Sequence, residues 1–551
     1  MSESLNSAQT NIWKWLIGLG LAINLPGLFT DVMEIDAAQY AAISMEMAQT
    51  GSYLQVFEQG RDYLDKPPLL FWLSSLFIKI FGTYSWAYKL PSFLFTMLGI
   101  YAIFRFTRLY YSEQTAWTAA AILLYSQCIF LMNNDVRTDN MLLGAVCLSI
   151  WMLAEIDTAS TTRWIYYIFA GAGIGLAMLA KGPLGLVIPL MGFGTNWLLK
   201  MQWKKILNPH WLLTILTISI ILLPMCIGLY VQFDAQPEKW VNGRQGVSGL
   251  RFFFWEQSFG RITGESVWKN DSGKLFFVHT YLWAFFPWVL IIIPAIYHKF
   301  KKTENSEKIS LWSFILTFIA LSMSRFKLPH YIYITVPFAA VICASWYQQL
   351  GARHKIIRFL PLLPLSLAVL VSGLLIFYVF PDKPLIISVA IVTICALWLA
   401  LYTKSNSDIA KNLVLMSFSP ALIALVLNVH FYPNLLQYQA SSNAGKYLKK
   451  NDQISDSLLI SGSHRSAAHF YSGKILPRPE SQVIAKKEYI WLLVNKSDLA
   501  NYGFEKAEQK IERSWADYPI TLLKGSFLNP RTRAESLDST YLIRLNNEHH
   551  E

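Results

Sequence analysis

Long apolar runs, cut at intervals by short charged connections, occupy most of the first 431 positions of this chain. Runs long enough for hydrocarbon lie at roughly 12–29, 90–109, 116–132, 140–155, 164–180, 183–199, 210–231, 277–297, 309–323, 329–348, 357–379, 384–403 and 412–431. The pattern predicts a polytopic α-helical membrane protein with about thirteen transmembrane helices. One more apolar run, 67–82, opens on Pro67-Pro68 and carries Lys79, which predicts a helix lying on the membrane rather than crossing it. The run from Ile12 to Phe29 lacks a basic leader and a small-residue cleavage motif, so it reads as a retained first span and not as a signal peptide. After position 432 the pattern changes. Residues 433–551 are mixed polar, with β-like stretches at Ser457–Ser461, Glu488–Val494, Pro519–Leu523 and Thr540–Leu545 and a helical pattern at Ala444–Lys450. The expected organisation is a transmembrane domain, 1–432, with outer loops 30–89 and 232–276, followed by a small soluble α/β domain, 433–551.

Charge supplies the orientation. Hydrophobic residues make up 54% of the 551 positions and charged ones only 15%, yet the formal net charge is +12. Nucleic acid does not account for that excess, because the basic residues sit in short loops and form no basic face. With the N-terminus in the cytoplasm, the even connections carry Arg105 and Arg108, Arg163, Lys200, Lys204 and Lys205, Lys299, Lys301, Lys302 and Lys308, Arg353, Lys355 and Arg358, then Lys404 and Lys411. The short odd connections hold fewer: Arg137, Lys181, Arg325 and Lys327, and Lys383. The asymmetry places the two outer loops and the C-terminal domain on the periplasmic side. Cys128, Cys147, Cys226, Cys343 and Cys395 fall in or beside apolar runs, have no metal-type spacing and read as small core residues.

On this topology three charged clusters meet one face of the bundle. They are Glu34, Asp36 and Tyr40 with Asp65 and Lys66; Asp135, Arg137 and Asp139; and Arg325, Lys327, His330 and Tyr331. Ionisable groups at span ends are costly and mark functional sites. Asp36 opens a helical pattern, so it is either an N-cap or a carboxylate that orients or deprotonates an attacking hydroxyl. Lys66 stands just ahead of a proline-led helix start, where an ammonium and a helix dipole act together on a phosphate; the alternative is a lysine reaching to lipid headgroups. Asp135 and Asp139 share a face if their turn is helical. Lys181, in a Gly-Pro turn, is an interfacial anchor or a further cation. In the second outer loop Glu256 and Arg261 flank an aromatic run, and Arg261 is a candidate phosphate ligand. Cations for a phosphate, acids for a hydroxyl and a greasy cavity suit group transfer from a lipid-linked phosphate.

The runs DAAQYAAISMEM from Asp36, DKPPLLFW from Asp65, TDNML from Thr138, AKGPLGLVIP from Ala180 and SRFKLPHYIYITVP from Ser324 resemble the bacterial membrane glycosyltransferases typified by aminoarabinose transferase, related to protein O-mannosyltransferases. The likeness covers roughly residues 10–350. It implies a GT-C fold, an undecaprenyl-phosphate sugar donor and inversion at the anomeric carbon, in the bacterial inner membrane. Asp36 and Asp139 match the family's acids, and Lys66 its phosphate-holding lysine. Arg261, Tyr331 and Lys327 stand where further phosphate ligands are expected, with Glu34, Tyr40, Asp135, Lys181, Glu256 and His330 in support. The chain departs from the family at Ala37 and Gln39, where Glu and Arg are frequent, at Gln257 in place of a His, and at Asp65 in place of a Glu. No cofactor is required on this reading; a divalent metal would have Asp65 as its ligand. The expected partners are the donor, a lipid or glycan acceptor such as lipid A, and membrane lipids, with the protein acting as a monomer. A lipid-linked sugar flippase and an oligosaccharide ligase or polymerase are the competing functions.

Overall fold

A computed structural model describes residues 7–546 except 242, 258–259, 261–269, 271, 302–306, 351–358, 382–383, 406, 452–453, 455–457, 462–464, 477–488 and 497–508. Among the described residues, eight helices are long and apolar enough to cross a membrane: Ile12–Phe29, Ser85–Tyr110, Thr138–Thr158, Trp164–Lys181, Trp203–Asp234, Leu362–Val379, Leu385–Lys404 and Asp408–Tyr438. The chain is therefore a polytopic helical membrane protein. Two of the expected spans are broken. Glu113–Leu124 and Gln127–Asn134 meet at 50°, and Phe276–Ala284 and Val289–Lys301 at 113°; counting each pair as one span gives ten. Pro287, which has no backbone donor, lies in the second break. Leu184–Leu199 and Ile309–Met323 are shorter. The run expected at 329–348 starts as tight 3-10 turns, Pro329–Thr335, before the α-helix Val336–Tyr347. The sequence pattern gives thirteen apolar runs; among the described residues, eight helices, or ten with the bent pairs, have the length and composition to cross a bilayer.

The first of the two loops expected to face outward follows α1 (Ser7–Phe29). It holds α2 (Asp36–Thr50), a hairpin of β1 (Phe57–Glu58) and β2 (Arg61–Asp62), and α3 (Leu69–Phe81). Helix α2 stops at Gly51, whose left-handed φ of +72° returns its N–H to Met47 O. Glu46 then grips the hairpin, accepting from the N–H groups of Gln59 (2.6 Å) and Gly60 (2.8 Å). Helix α3 buries Leu69, Leu70, Phe71 and Ile78 and leaves Leu76, Ile80 and Phe81 exposed, the two-sided apolar character of a helix resting on a bilayer. Beyond it come α4 (Ser85–Tyr110), the bent pair α5 (Glu113–Leu124) and α6 (Gln127–Asn134), α7 (Thr138–Thr158) and α8 (Trp164–Lys181). A buried polar knot ties four helices together: Asn133 Nδ2 donates to Asn24 Oδ1 (2.8 Å), while Thr96 (2.9 Å) and Asn140 (2.9 Å) donate to Asn133 Oδ1. Lys89, fully buried, gives its ammonium protons to Gly27 O, Thr30 O and Thr30 Oγ1, all at 3.0 Å, where α1 ends.

The C-terminal residues form a four-stranded sheet in the order β5-β6-β8-β7, after the short outer-loop pair β3 (Trp240–Val241) and β4 (Arg244–Gln245). Strands β5 (Leu458–Ile460) and β6 (Tyr489–Asn495) pair in parallel; β8 (Asp538–Asn546) pairs antiparallel with β6 and with β7 (Gln509–Asp517). The expected strand at Pro519–Leu523 is absent. The strand runs Gln509–Asp517 and stops before Pro519, and Tyr518 turns to stack on Phe527 with ring centroids 3.9 Å apart. Helices Ala440–Lys450 and Ser466–Ser472 join this sheet to the first outer loop. Tyr471 Oη accepts from Val32 N (2.7 Å), Gln439 bridges Val32 O (2.9 Å) and Glu34 N (2.8 Å), and Lys446 pairs with Asp31 (2.5 Å).

Glu34 lies inside this contact and is 8% exposed. Its Oε1 accepts from Ser441 Oγ (3.0 Å) and Ala467 N (2.8 Å). Burial outweighs both bonds and pushes the carboxyl up to about 8. The folded form thus holds a proton that the unfolded form releases near 4.5, so the stabilisation is complete below 4.5 and declines as pH rises to about 8. Hydrogen exchange in Ala440–Lys450 and Ser466–Ser472 is expected to speed up between pH 5 and pH 8.5 by more than the intrinsic chemical dependence, and Glu34→Gln is expected to abolish that excess.

Candidate active site

Arg137 joins two of the charged clusters. Its Nη1 donates to Asp36 Oδ2 and its Nε to Asp135 Oδ2 (2.9 Å). Asp36 is thus no N-cap: Ile35 holds that position without a side-chain bond, and Asp36 sits in the first turn of α2 with its carboxylate on the guanidinium. Arg137 itself precedes α7 with extended backbone, φ −126° and ψ −178°. That extended residue separates Asp135 from Asp139, so the two carboxylates do not share a helical face. Asp135 turns to Arg137, and Asp139, in the first turn of α7, pairs with Lys181 at the end of α8. Burial opposes the charge on Arg137, but Asp135 and then Asp36 outweigh it and raise its proton affinity above the ordinary arginine value.

The third cluster meets the second through Asp139. His330 Nε2 lies 3.8 Å from Asp139 Oδ2. The Lys181 ammonium stands 4.2 Å from the centre of the Tyr331 ring, which packs edge-on against His330 at 4.8 Å. Lys181 is therefore part of an ion-pair network and more than an interfacial anchor.

The Asp65-Lys66 segment reaches the same region through Tyr40. That phenol is 2% exposed and its ring packs on Phe71 at 5.7 Å. Burial raises its pKa, and the fields of Asp36 and then Asp65 raise it further, so both acids lie within electrostatic reach of one hydroxyl. Lys66 precedes Pro67-Pro68 and the start of α3 at Leu69; its ammonium bonds Asp65 Oδ2 at 2.8 Å. Around it is a narrow hollow of about 30 Å³, walled by Tyr63, Met225, Leu229, Phe252, Phe253 and Gln257. Gln257 donates to Asp65 O from the second outer loop, and Gln232 fixes Val56 through both backbone groups (2.9 and 3.0 Å). Close approach needs Gly228, where a Cβ would stand 2.0 Å from Leu54 O.

Lys327 belongs elsewhere. Its ammonium donates to Ser272 O (3.3 Å) and its backbone bonds Asn270. With Lys274 and Arg325 it lines a separate cavity of about 890 Å³ whose apolar wall is Phe318, Ile319 and Met323. Glu256 pairs with Arg244 (3.1 Å) and, at 3.7 Å, with Arg251. Glu34 faces the C-terminal helices rather than Arg137. Arg261 lies outside the described residues. Among the described residues no three His, Cys, Asp or Glu side chains group as metal ligands, and the Asp65 carboxylate is held by Lys66, so this donor set does not fit a metal. The charge pattern hid the part Arg137 plays: it stood between two acids in Asp-Val-Arg-Thr-Asp yet read as loop charge. Nothing in the sequence pointed to Gln232, and Gln257 stood out only as a departure from the histidine of the resembling family.

Residues 65–227 match the family model described as dolichyl-phosphate-mannose-protein mannosyltransferase. Curated relatives named undecaprenyl phosphate-alpha-4-amino-4-deoxy-L-arabinose arabinosyl transferase align from Proteus mirabilis (24% identity over 58% of this chain and 56% of that one) and Pseudomonas aeruginosa (24% over 64% and 63%). The chain thus spans less than two thirds of the length of these relatives. The crystal structure of ArnT from Cupriavidus metallidurans bound to undecaprenyl phosphate superposes with a TM-score of 0.72 at 15% identity, over 96% of this chain and 97% of that one; its apo form gives 0.73 at 16% identity. The chain is similar in sequence to the aminoarabinose transferases and has the fold of the Cupriavidus ArnT.

Proposed function

We propose that this chain is an inverting glycosyltransferase that moves a sugar from a polyprenyl phosphate to an envelope acceptor at the periplasmic face of the bacterial inner membrane. The observation that carries the reading is a lysine, Lys66, in a hollow walled by apolar side chains and bonded to Asp65, an acid that acts with Asp36 on the same buried tyrosine, Tyr40. The names of the relatives and the ligand of the Cupriavidus structure support the donor class. The lysine and arginine asymmetry supports thirteen crossings, an outer position for the site and an outer domain at 433–551.

In the reaction the acceptor oxygen bonds the anomeric carbon as the bond from that carbon to the phosphate oxygen breaks, and polyprenyl phosphate departs with the electron pair. Lys66 offsets the charge that grows on this phosphate, with Tyr331 and Arg261 as further contacts. Met225, Leu229, Phe252 and Phe253 receive the start of the prenyl chain. The hollow holds about a water's volume as it stands, so the walls part when a headgroup enters. Asp36 orients the acceptor and, for a hydroxyl, takes its proton. Arg137 positions Asp36, while Asp139, supported by Lys181 and His330, meets the sugar from the other side. Lys274, Arg325 and Lys327, beside apolar Phe318, Ile319 and Met323, suit an anionic amphiphile, which favours a phosphorylated lipid as acceptor.

The test is transfer from synthetic polyprenyl-phosphate sugars to envelope lipids in proteoliposomes, read by mass spectrometry. Asp36→Asn is expected to lower kcat by roughly a hundredfold or more. Lys66→Ala is expected to lower kcat/KM by about a hundredfold to a thousandfold. Full transfer by both variants overturns the reading, and sugar-lipid crossing without acceptor favours a flippase. Arg137→Lys keeps a charge but loses the fork. Its kcat is expected to fall about a hundredfold with donor KM little changed, a split that a merely structural role would not give.

A further inference from the structure

A third hollow lies toward the opposite end of the bundle. It occupies about 400 Å³ between α7, α8, Leu184–Leu199 and Trp211–Leu229. Leu153, on its wall, stands fourteen residues along α7 from Asp139, roughly 21 Å at the helical rise. Its lining runs from Leu186 to Leu198, roughly 18 Å of helix. Five residues of that helix, Leu190–Gly194, form a wide π-turn, and a Cβ on Gly194 would meet nothing within 4 Å. The walls are aliphatic and aromatic. The one hydroxyl, on Thr214, is already bonded to Tyr167 O (2.9 Å). The indole N–H groups of Trp197 and Trp211 are spent on Asp157 Oδ1 (2.7 Å) and Lys205 O (2.8 Å). No lining side chain asks for a polar ligand.

The mouth differs. In the turn that follows Leu199, Lys205 is committed to Asp157 at 2.6 Å, whereas Lys200 and Lys204 are exposed and have no ion-pair partner among the described residues. Between them and around them Met201 (75% exposed), Trp203 (54%) and Leu207 (76%) stand out from the surface. Such a mixture of free lysines and bare apolar side chains belongs in the headgroup layer of a bilayer.

We propose that this groove takes one acyl chain of an anionic phospholipid, drawn from the leaflet against which the 199–210 turn lies, with its phosphate held between Lys200 and Lys204. The charge of the mouth selects the headgroup, and the dry walls take the chain. The site stands apart from the transfer reaction and does not rest on it.

The full-length protein is placed in nanodiscs of equal phosphatidylglycerol and phosphatidylcholine, released, and weighed by native mass spectrometry. One phosphatidylglycerol per chain is expected to survive activation, about tenfold over phosphatidylcholine. The double variant Lys200→Ala/Lys204→Ala, at exposed positions, is expected to bring the two lipids to parity with thermal unfolding unchanged. Gly194→Leu is expected to remove the retained lipid by filling the groove. Equal retention of the two lipids by the unaltered chain overturns the proposal, as does full phosphatidylglycerol retention in both variants. A phosphatidylglycerol with a diazirine in its acyl chain gives a reading that does not depend on any variant. Its cross-links are expected on Leu186–Leu198 or Trp211–Ile218, and labels confined to other segments overturn the site.

Discussion

A carboxylate at the lip of a hydrocarbon layer needs a partner for its charge, and for Asp36 that partner is Arg137. The planar guanidinium uses two different nitrogens for two different acids, Nη1 for Asp36 and Nε for Asp135. A lysine ammonium, a point charge on a flexible stem, would not fix both directions at once. The partners come from segments 101 residues apart, so this one side chain sets where the first outer loop lies relative to α7. Lys181 repeats the arrangement one step further along, drawing the end of α8 to Asp139.

The scaffold beneath these pairs is polar as well. Asn24, Thr96, Asn133 and Asn140 bond one another across four helices, in a place where apolar side chains alone have little reason to prefer one neighbour over another. Lys89 adds a second constraint. A helix that ends inside a bundle leaves carbonyls without donors, and one buried ammonium meets those of α1 at Gly27 and Thr30. The exit direction of α1 is thereby fixed, and residues 31–36 start from a settled point.

Hydropathy located the helices because burial in lipid has a length scale that the sequence carries directly. It could not see where a helix bends, since the 113° break near Pro287 lies within one continuous apolar run. The residues of the proposed site are legible as types: Asp36, Lys66, Asp139, Lys181, His330 and Tyr331 all stand at span ends. Their pairing is not. Whether Asp135 and Asp139 share a helical face stays open in the sequence, because spacing alone cannot show that Arg137 interrupts the helix with extended backbone. Lys327 read as a donor ligand because it precedes Tyr331 in sequence, but Asn270 and Ser272 draw it into a different cavity. Glu34, two residues from Asp36, turns to the C-terminal helices because Ser441 and the Ala467 N–H lie there, partners 407 and 433 positions away.

That last contact ties inheritance to geometry. Asp31, Val32 and Glu34 are gripped by Lys446, Tyr471, Gln439, Ser441 and Ala467, so the stretch leading into Asp36 and the tail of the chain form a single matched surface. A chimaera that exchanges everything after Gln439 with a relative leaves a buried carboxyl facing foreign neighbours, beside the acid proposed to handle the acceptor. Recombination within such a lineage is tolerated where residues 31–36 and the tail travel together, and the two segments are bound to drift in concert although four hundred residues separate them in the chain.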